Sequence, residues 1–285
     1  MTHALLARLG ALALLLTAPA AAQAPLLYVL EDADSRVTLY GSIHLLDDET
    51  EPLSSAARAA YAEAEVVVLE TDLDDTQAIT QAFLQHAQYT DGRTLADVLG
   101  KVRMQKLRAR LDALGGSADA LPRLKPWAMQ LALLSLGMAS PDGRWGPGVD
   151  AAVLARARTD GLPVEALETA EQQVLAFDAA PEAEQVEALM ETVRFWTSGP
   201  GGAEDALREL VGAWARGDEG ALAEVAATVP AAVLRDRNAA WLPQIEALLA
   251  REGEDALVVV GVAHLVGPDS VVAMLRARGY EVTPP

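Results

Sequence analysis

The sequence contains no cysteine in 285 residues. This absence excludes disulfide bonds, a thiolate nucleophile, iron–sulfur clusters, cysteine-ligated zinc and a lipid anchor on an N-terminal cysteine. Basic residues are also scarce: 22 Lys and Arg stand against 41 Asp and Glu, which gives a formal net charge of −19. Because phosphate groups repel so acidic a chain, we expect no nucleic-acid partner and no electrostatic binding to an anionic membrane.

Residues 1–22 have the layout of a secretory signal peptide. Arg8 precedes an apolar run over residues 9–18, and an A-x-A cleavage pattern follows at residues 20–22. The run is short for a membrane span of about 20 residues, although an uncleaved anchor is the alternative. We therefore expect a periplasmic or secreted protein, residues 23–285, whose only membrane contact is the signal peptide before cleavage.

The remaining chain is typical of a globular protein, since 51% of the residues are hydrophobic and 22% are charged. Short apolar runs predict six strands, separated by helical patterns and by a glycine-rich loop at residues 143–148. The predicted strands are Leu26–Leu30, Arg36–Tyr40, Glu65–Glu70, Leu162–Leu167, Ala256–Val260 and Tyr280–Thr283.

Four of these strands end in histidine or glutamate. The motif G-x-x-H follows two strands and supplies His44 and His264, whereas L-E-T ends two others and supplies Glu70 and Glu168. Their chain order, His-Glu-Glu-His, predicts an α/β fold of two related β/α halves that meet at a shared sheet edge. Helical insertions are expected at about residues 74–140 and 171–250. Since ligands of open α/β sheets bind beyond the carboxyl ends of the strands, the four side chains should share one polar site.

The residue types at this edge suit a metal ion. Two histidines and a glutamate form a known ligand set for catalytic zinc, and the absence of cysteine leaves only nitrogen and oxygen ligands. We therefore predict that His44, His264 and Glu70 hold a divalent transition metal, Mn, Co or Zn. A simpler interpretation competes: each histidine could be a hydrogen-bonded core residue, and the glutamates could stand beside helix starts capped by Thr71 and Thr169.

Other residues carry weaker signals. Arg237 and Asn238 stand inside a helical pattern where Asn is a poor helix former, which fits either a functional role or a surface position. His86 is predicted to lie on a solvated helix face. Four tryptophans of the helical segments are predicted to pack between helices: Trp127, Trp196, Trp214 and Trp241.

Taken together, the motifs resemble the TraB/GumN family, which includes the Tiki proteases and shares a fold with the erythromycin-esterase and ChaN groups. The resemblance covers nearly the whole of the expected mature chain, and the serine of its first motif is a mild departure from the family pattern. The landmarks are G-S-I-H at 41–44, V-V-L-E-T-D at 67–72, G-V-D at 148–150, L-E-T-A-E-Q-Q at 167–173, R-D-R-N at 235–238, G-V-A-H-L-V-G at 261–267 and L-R-A-R-G-Y-E-V at 275–282.

The resemblance to the Tiki branch implies a metal-dependent peptidase acting on a peptide or another small ligand. It places His44, Glu70 and His264 at the site. The supporting candidates that it implies are Glu168, Asp150, Arg237 and Asn238. The bacterial branch of the family is functionally diverse, so the resemblance predicts the fold more firmly than the reaction.

Two functions follow from these expectations. In the first, a metal-bound water attacks a peptide bond, the second glutamate acts as general base, and Arg237 or Asn238 stabilises the oxyanion. In the second, the protein sequesters a peptide, a metal or a haem-like ligand without turnover. Two spare carboxylates at one edge favour the enzyme, because binding alone needs no free base. The helical segment at 171–250 could cover the site in either case.

Overall fold

The computed structural model describes residues 25–138, 145–196 and 202–285. The predicted signal peptide, residues 1–22, lies outside these ranges. None of the helices in the described ranges is long and apolar enough to cross a membrane.

The described residues form two sheets. The larger has five strands in the order β1-β2-β7-β4-β6, and the smaller pairs β3 with β5. The strands are β1 (Leu27–Glu31), β2 (Arg36–Ser42), β3 (Leu45–Asp47), β4 (Val66–Leu69), β5 (Trp145–Pro147), β6 (Val164–Ala166) and β7 (Ala256–Gly261). In the larger sheet β1 runs antiparallel to β2, and the other neighbours are parallel.

The parallel register brings the four motif-bearing strands to one edge. Ser42 at the end of β2 stands opposite Gly261 at the end of β7. Leu69, the last residue of β4, stands opposite Val259 on one side and Ala166 on the other. The predicted α/β class is confirmed. From β2 to β6, strands from the first and second half of the chain alternate, so the two halves share one continuous sheet.

Helices cover the sheet and extend beyond it. They are α1 (Ser55–Glu63), α2 (Thr76–His86), α3 (Leu95–Ala113), α4 (Pro126–Met138), α5 (Val149–Asp160), α6 (Ala170–Ala179), α7 (Glu182–Phe195), α8 (Gly202–Arg216), α9 (Glu219–Ala226), α10 (Arg235–Leu249) and α11 (Val271–Ala277). A 3₁₀ turn, Val262–His264, follows β7. Helices α2–α4 and α6–α10 occupy the two stretches predicted to be helical insertions.

Two hydrophobic cores follow from this arrangement. The first surrounds the sheet, where every residue of β4 and all but the last residue of β7 are buried, as expected for parallel strands covered on both faces. The second lies among α3, α4 and α7, where Leu107, Leu133 and Leu189 are fully buried beside Trp127. The helices beyond the sheet therefore have a core of their own.

Two local predictions are wrong. Residues 280–283 do not form a strand, and only Thr283 pairs, in an isolated bridge with Val29. The Tyr280 N–H instead donates to the Leu275 carbonyl at 3.2 Å, which closes the end of α11. The predicted loop at residues 143–148 contains β5, because residues 145–147 pair with β3; residues 143 and 144 lie outside the described ranges.

Candidate functional site

Gly261 lies at the centre of the predicted site. A Cβ atom at this position would lie 3.2 Å from Oε1 of Glu70, 3.6 Å from Cδ2 of His264 and 4.0 Å from Nε2 of His44. Both histidines and Glu70 therefore converge beyond the ends of β2, β4 and β7, as predicted. The glycine of the other G-x-x-H motif, Gly41, has a different role, since a Cβ there would meet the Val262 side chain at 2.9 Å.

Arg237 on α10 joins the glutamates. Its Nη2 lies 2.5 Å from Glu70 Oε2 and 2.5 Å from Glu168 Oε1, and its Nε lies 3.0 Å from Glu168 Oε1. Its Nη1 donates to the Val233 carbonyl at 3.2 Å and lies 3.2 Å from Nε2 of His264. These contacts can use all five N–H groups of the guanidinium. The prediction of two spare carboxylates is therefore wrong, because both pair with Arg237, and no N–H of Arg237 is left to bind an oxyanion in this arrangement.

The two carboxylates differ in their electrostatics. Burial by itself would raise the pKa of Glu70, but the charges of His264, Arg237 and His44 and the N–H of Gly261 lower it to about 2. Burial raises the pKa of Glu168, and its hydrogen bond from Arg237 only partly opposes that rise. Glu70 is therefore held as an anion at neutral pH, and burial shifts the pKa of Glu168 in the opposite direction.

His264 is a buried, neutral imidazole. Its Nδ1 lies 2.6 Å from Oδ1 of Asn238, whose Nδ2 donates to the Asp269 carbonyl at 2.8 Å. Because the amide nitrogen faces Asp269, the amide oxygen accepts from His264, so the proton resides on Nδ1 and Nε2 carries a lone pair. Burial lowers the pKa of His264 to about 4. Asn238 thus orients His264 and has no contact that fits the predicted oxyanion role.

His44 forms the exposed part of the site. Its side chain is 70% exposed, and Nδ1 lies 2.8 Å from Oδ2 of Asp150. The Ser42 hydroxyl donates to the other oxygen of the same carboxylate. The charge of Asp150 and its hydrogen bond raise the pKa of His44 to about 9. A carboxylate behind one imidazole nitrogen leaves the other, Nε2, available for proton transfer.

The G-V-D motif explains how Asp150 reaches His44. The N–H of Gly148 donates to the His44 carbonyl at 3.0 Å, and the N–H of Val149 donates to the Ile43 carbonyl at 2.9 Å. A Cβ at Gly148 would lie 1.9 Å from the Ile43 carbonyl oxygen, so only glycine allows this approach. Asp150 follows in the first turn of α5, where the helix dipole favours a carboxylate.

The predicted metal ligands do not fit a metal ion in this arrangement. Among the residues that the structure describes, no group of three or more His, Cys, Asp or Glu side chains could hold one. Nε2 of His264 lies 3.7 Å from Oε1 of Glu70, but the guanidinium of Arg237 contacts both residues. A fixed cation beside these ligands opposes a second one by charge repulsion.

Several residues of the site were not singled out by the sequence. Trp241 was predicted only to pack between helices, yet its Nε1 lies 3.2 Å from Oε2 of Glu168 and its ring centroid lies 4.5 Å from that of His264. It stands one helical turn after Arg237, a spacing that places both on one face of α10. Gln173, in the L-E-T-A-E-Q-Q motif, has its Nε2 3.3 Å from Oε2 of Glu70.

The competing structural interpretation is confirmed in part. Thr169 caps α6 in a capping box with Gln172. Thr71 is buried and does not cap α2, because Asp75 does. His86, predicted on a solvated face, is only partly exposed, and its Nε2 lies 3.5 Å from Oε1 of Glu171.

Two cavities open beside the cluster. The polar cavity has a volume of about 360 Å³ and is lined by polar residues of the site, among them His44, Glu70, Arg237 and His264. The apolar cavity, of about 600 Å³, lies among α4, α6, α7 and α8. Helix α10, which was predicted to belong to a covering segment, builds the site itself through Arg237.

Comparison with known proteins shows the family of the chain. The sequence profile of the TraB/PrgY/gumN family matches residues 26–284, and the chain therefore belongs to this family. The chain is 23% identical over 252 residues to an uncharacterized protein of Treponema pallidum (strain Nichols), covering 83% of this chain and 73% of the relative. No solved structure matches the chain.

Proposed function

We propose that the protein is a hydrolase that cleaves the bond between a carbonyl carbon and its leaving group in the polar cavity. A peptide bond is the first candidate. The observation that carries the proposal is the pair of His44 and Asp150. It presents an imidazole held by a carboxylate at the mouth of a cavity that also contains Glu70. Groups of this kind supply general acid–base catalysis when they lie within reach of the reacting atoms.

Glu70 and His44 have separate roles in this reaction. Water adds to the carbonyl carbon, and Glu70 accepts a proton from that water as the bond to the leaving group breaks. His44, protonated on both nitrogens, gives a proton to the leaving group. Arg237 and the Gly261 N–H hold Glu70 in place, with the latter 2.7 Å from Oε1. Asn238 orients the neutral His264 beside them, because its Oδ1 accepts from Nδ1 of the imidazole.

The signal-peptide pattern supports a periplasmic or secreted location for this activity, which also belongs to the proposal. The divalent metal expected from the Tiki resemblance stays a prediction. Its three expected ligands, His44, Glu70 and His264, could close on an ion only after Arg237 left Glu70. Metal dependence is therefore tested separately from hydrolysis.

A binding protein without turnover is the second candidate. The observation that favours it is the pairing of both glutamates with Arg237, which leaves no carboxylate without a cationic partner in the site. Such a protein would hold its ligand, a peptide or a haem-like molecule, in the two cavities without cleaving it.

One experiment separates the two candidates. The mature chain, residues 23–285, is incubated with a diverse peptide library, and mass spectrometry detects new termini, with and without a chelator. Hydrolysis by the wild type that is lost in His44→Gln, but kept in His86→Gln, supports the enzyme. Retention of peptides by the wild type without any new terminus supports the binding protein and refutes the hydrolase.

A further inference from the structure

We infer that the apolar cavity holds an uncharged apolar group of the same molecule that is cleaved in the polar cavity. The inference names the substrate class and rests on the proposed function. The cavity has a volume of about 600 Å³, within the range of roughly 300–1,000 Å³ that is typical of small-molecule sites.

The chemistry of its walls selects an apolar occupant. Aromatic rings form one wall, where Trp127 and Phe177 stack with their centroids 6.0 Å apart and Trp127 is fully buried. Leu134 and Val211 line other parts of the cavity. Apart from the histidine at its mouth, Glu191 is the only residue with an ionisable side chain among the described residues of the lining. An anionic occupant would find no cationic partner there among the described residues, and the one carboxylate, Glu191, is exposed to solvent.

The two cavities are continuous. His44, Phe177 and Val233 line both of them. The Val233 carbonyl also accepts from Arg237, so this wall is fixed to the charged cluster. A molecule with its scissile carbonyl beside His44 therefore places the adjoining group directly in the apolar cavity.

A buried donor in the lining points to the same kind of ligand. Trp196 is 6% exposed, lines the apolar cavity, and its Nε1 has no acceptor among the described residues. An unpaired buried N–H is costly unless something accepts from it. A carbonyl within an otherwise apolar ligand supplies that acceptor. The chemistry of the lining thus fits an apolar chain that contains an amide or ester.

Two sources provide this chemistry: a fatty acyl group, or consecutive apolar side chains of a peptide. Both gain affinity through burial of methylene groups, by about fourfold for each methylene that leaves water. The test therefore compares N-dodecanoyl-alaninamide and the amidated peptide acetyl-Leu-Leu-Val-Phe with N-acetyl-alaninamide. Binding to the mature chain is measured by titration calorimetry.

Ala188→Phe is designed to fill the cavity, because Ala188 on α7 lines it. Ala183→Phe is the matched control, with the same change at an exposed position of the same helix, outside the lining. We expect at least one long ligand to bind 100-fold or more tightly than N-acetyl-alaninamide. Ala188→Phe should weaken that ligand at least tenfold, and Ala183→Phe should leave it unchanged. Whichever long ligand binds more tightly identifies the source.

Leu134→Arg is the second variant, in case Ala188→Phe does not fold. It puts a charge into the lining at a partly exposed position and should weaken the long ligand to a similar extent. The inference is overturned if the short and long ligands bind equally tightly. It is also overturned if Ala188→Phe folds and still binds the long ligand as tightly as the wild type. His44→Gln separates it from the proposed function. If both the wild type and His44→Gln bind the long ligand and neither protein hydrolyses it, the hydrolase is refuted and the apolar binding site still stands.

Discussion

Arg237 and Glu70 form a buried ion pair in which Nη2 of the guanidinium lies 2.5 Å from Oε2 of the carboxylate. The same nitrogen contacts Glu168, so one cation serves two carboxylates in a region of low exposure. Buried charges of this kind depend on one another, because each is costly without its partner. The cation at the centre of this site is therefore part of the protein itself.

The first prediction concerns this cation. Arg237→Gln leaves two buried carboxylates with no guanidinium between them and should lower the free energy of unfolding by about 3–5 kcal/mol. Urea denaturation at neutral pH measures the change. The double variant Arg237→Gln, Glu168→Gln removes one of the stranded charges and should recover part of the loss. A double variant as unstable as the single one would contradict this electrostatic interpretation.

Metal binding should respond to the same substitution. Because Arg237 opposes a second cation beside Glu70 and His264, Arg237→Gln should bind Mn²⁺, Co²⁺ or Zn²⁺ at least tenfold more tightly than the wild type. Titration calorimetry on chelator-treated protein measures both affinities, and elemental analysis checks the metal content before treatment. In a control, adding His44→Ala to Arg237→Gln should abolish the gain. Tight binding by the wild type that does not change in Arg237→Gln would show that Arg237 does not compete.

The ionisation of His44 depends on Asp150. Since the charge of Asp150 is the largest cause of the raised pKa of His44, Asp150→Asn should lower that pKa from about 9 towards the ordinary value of 6.5. NMR titration of the imidazole resonances measures this shift directly. In hydrolysis assays, the alkaline limb of kcat/KM should move to lower pH by the same amount.

Stability against acid should depend on His264. Its folded-state pKa of about 4 lies below the ordinary 6.5, so the folded protein binds fewer protons than the unfolded chain between these values. The corresponding stability is present above pH 6.5 and is lost as the pH falls towards 4, a loss of about 3 kcal/mol from this one group. Urea denaturation at pH 7, 5.5 and 4 measures it. His264→Gln should flatten the dependence of the free energy of unfolding on pH, and an unchanged slope in this variant would contradict the assignment.

The G-V-D motif offers a test of steric fit with a matched control. Gly148→Ala places a methyl group against the Ile43 carbonyl and should cost about 3 kcal/mol or more, with loss of the raised pKa of His44. Gly146→Ala, two residues earlier, meets nothing within 4 Å and should change stability by less than about 1 kcal/mol. Similar losses in both variants would point to glycine flexibility as the cause instead.

The sequence predicted the strands of the larger sheet well because buried parallel strands are short apolar runs, as in β4 and β7. It placed His44, Glu70, Glu168 and His264 at one edge because the carboxyl ends of parallel strands coincide. It did not reveal β5, whose three residues are a tryptophan, a glycine and a proline and carry no strand pattern.

The pairing within the site was also hidden from the sequence. Motif spacing indicates which residues face a common edge, but not which of them contact each other. Arg237 was predicted to stabilise an oxyanion, yet its position depends on the packing of α10 against the sheet, which no local pattern encodes. Trp241 could have been found, since it follows Arg237 by four residues on the same helix.

The position of β7 between β2 and β4 constrains the order in which the protein folds. Residues 256–261 are synthesised after every other strand, yet they fill the middle of the sheet. A ribosome-bound chain that ends before residue 256 lacks β7, which is the native partner of the facing edges of β2 and β4. It also lacks His264. The sheet therefore completes its native pairing through contacts between distant parts of the sequence, which slow folding. Until then the precursor exposes apolar strand edges, the condition in which chaperones bind nascent chains.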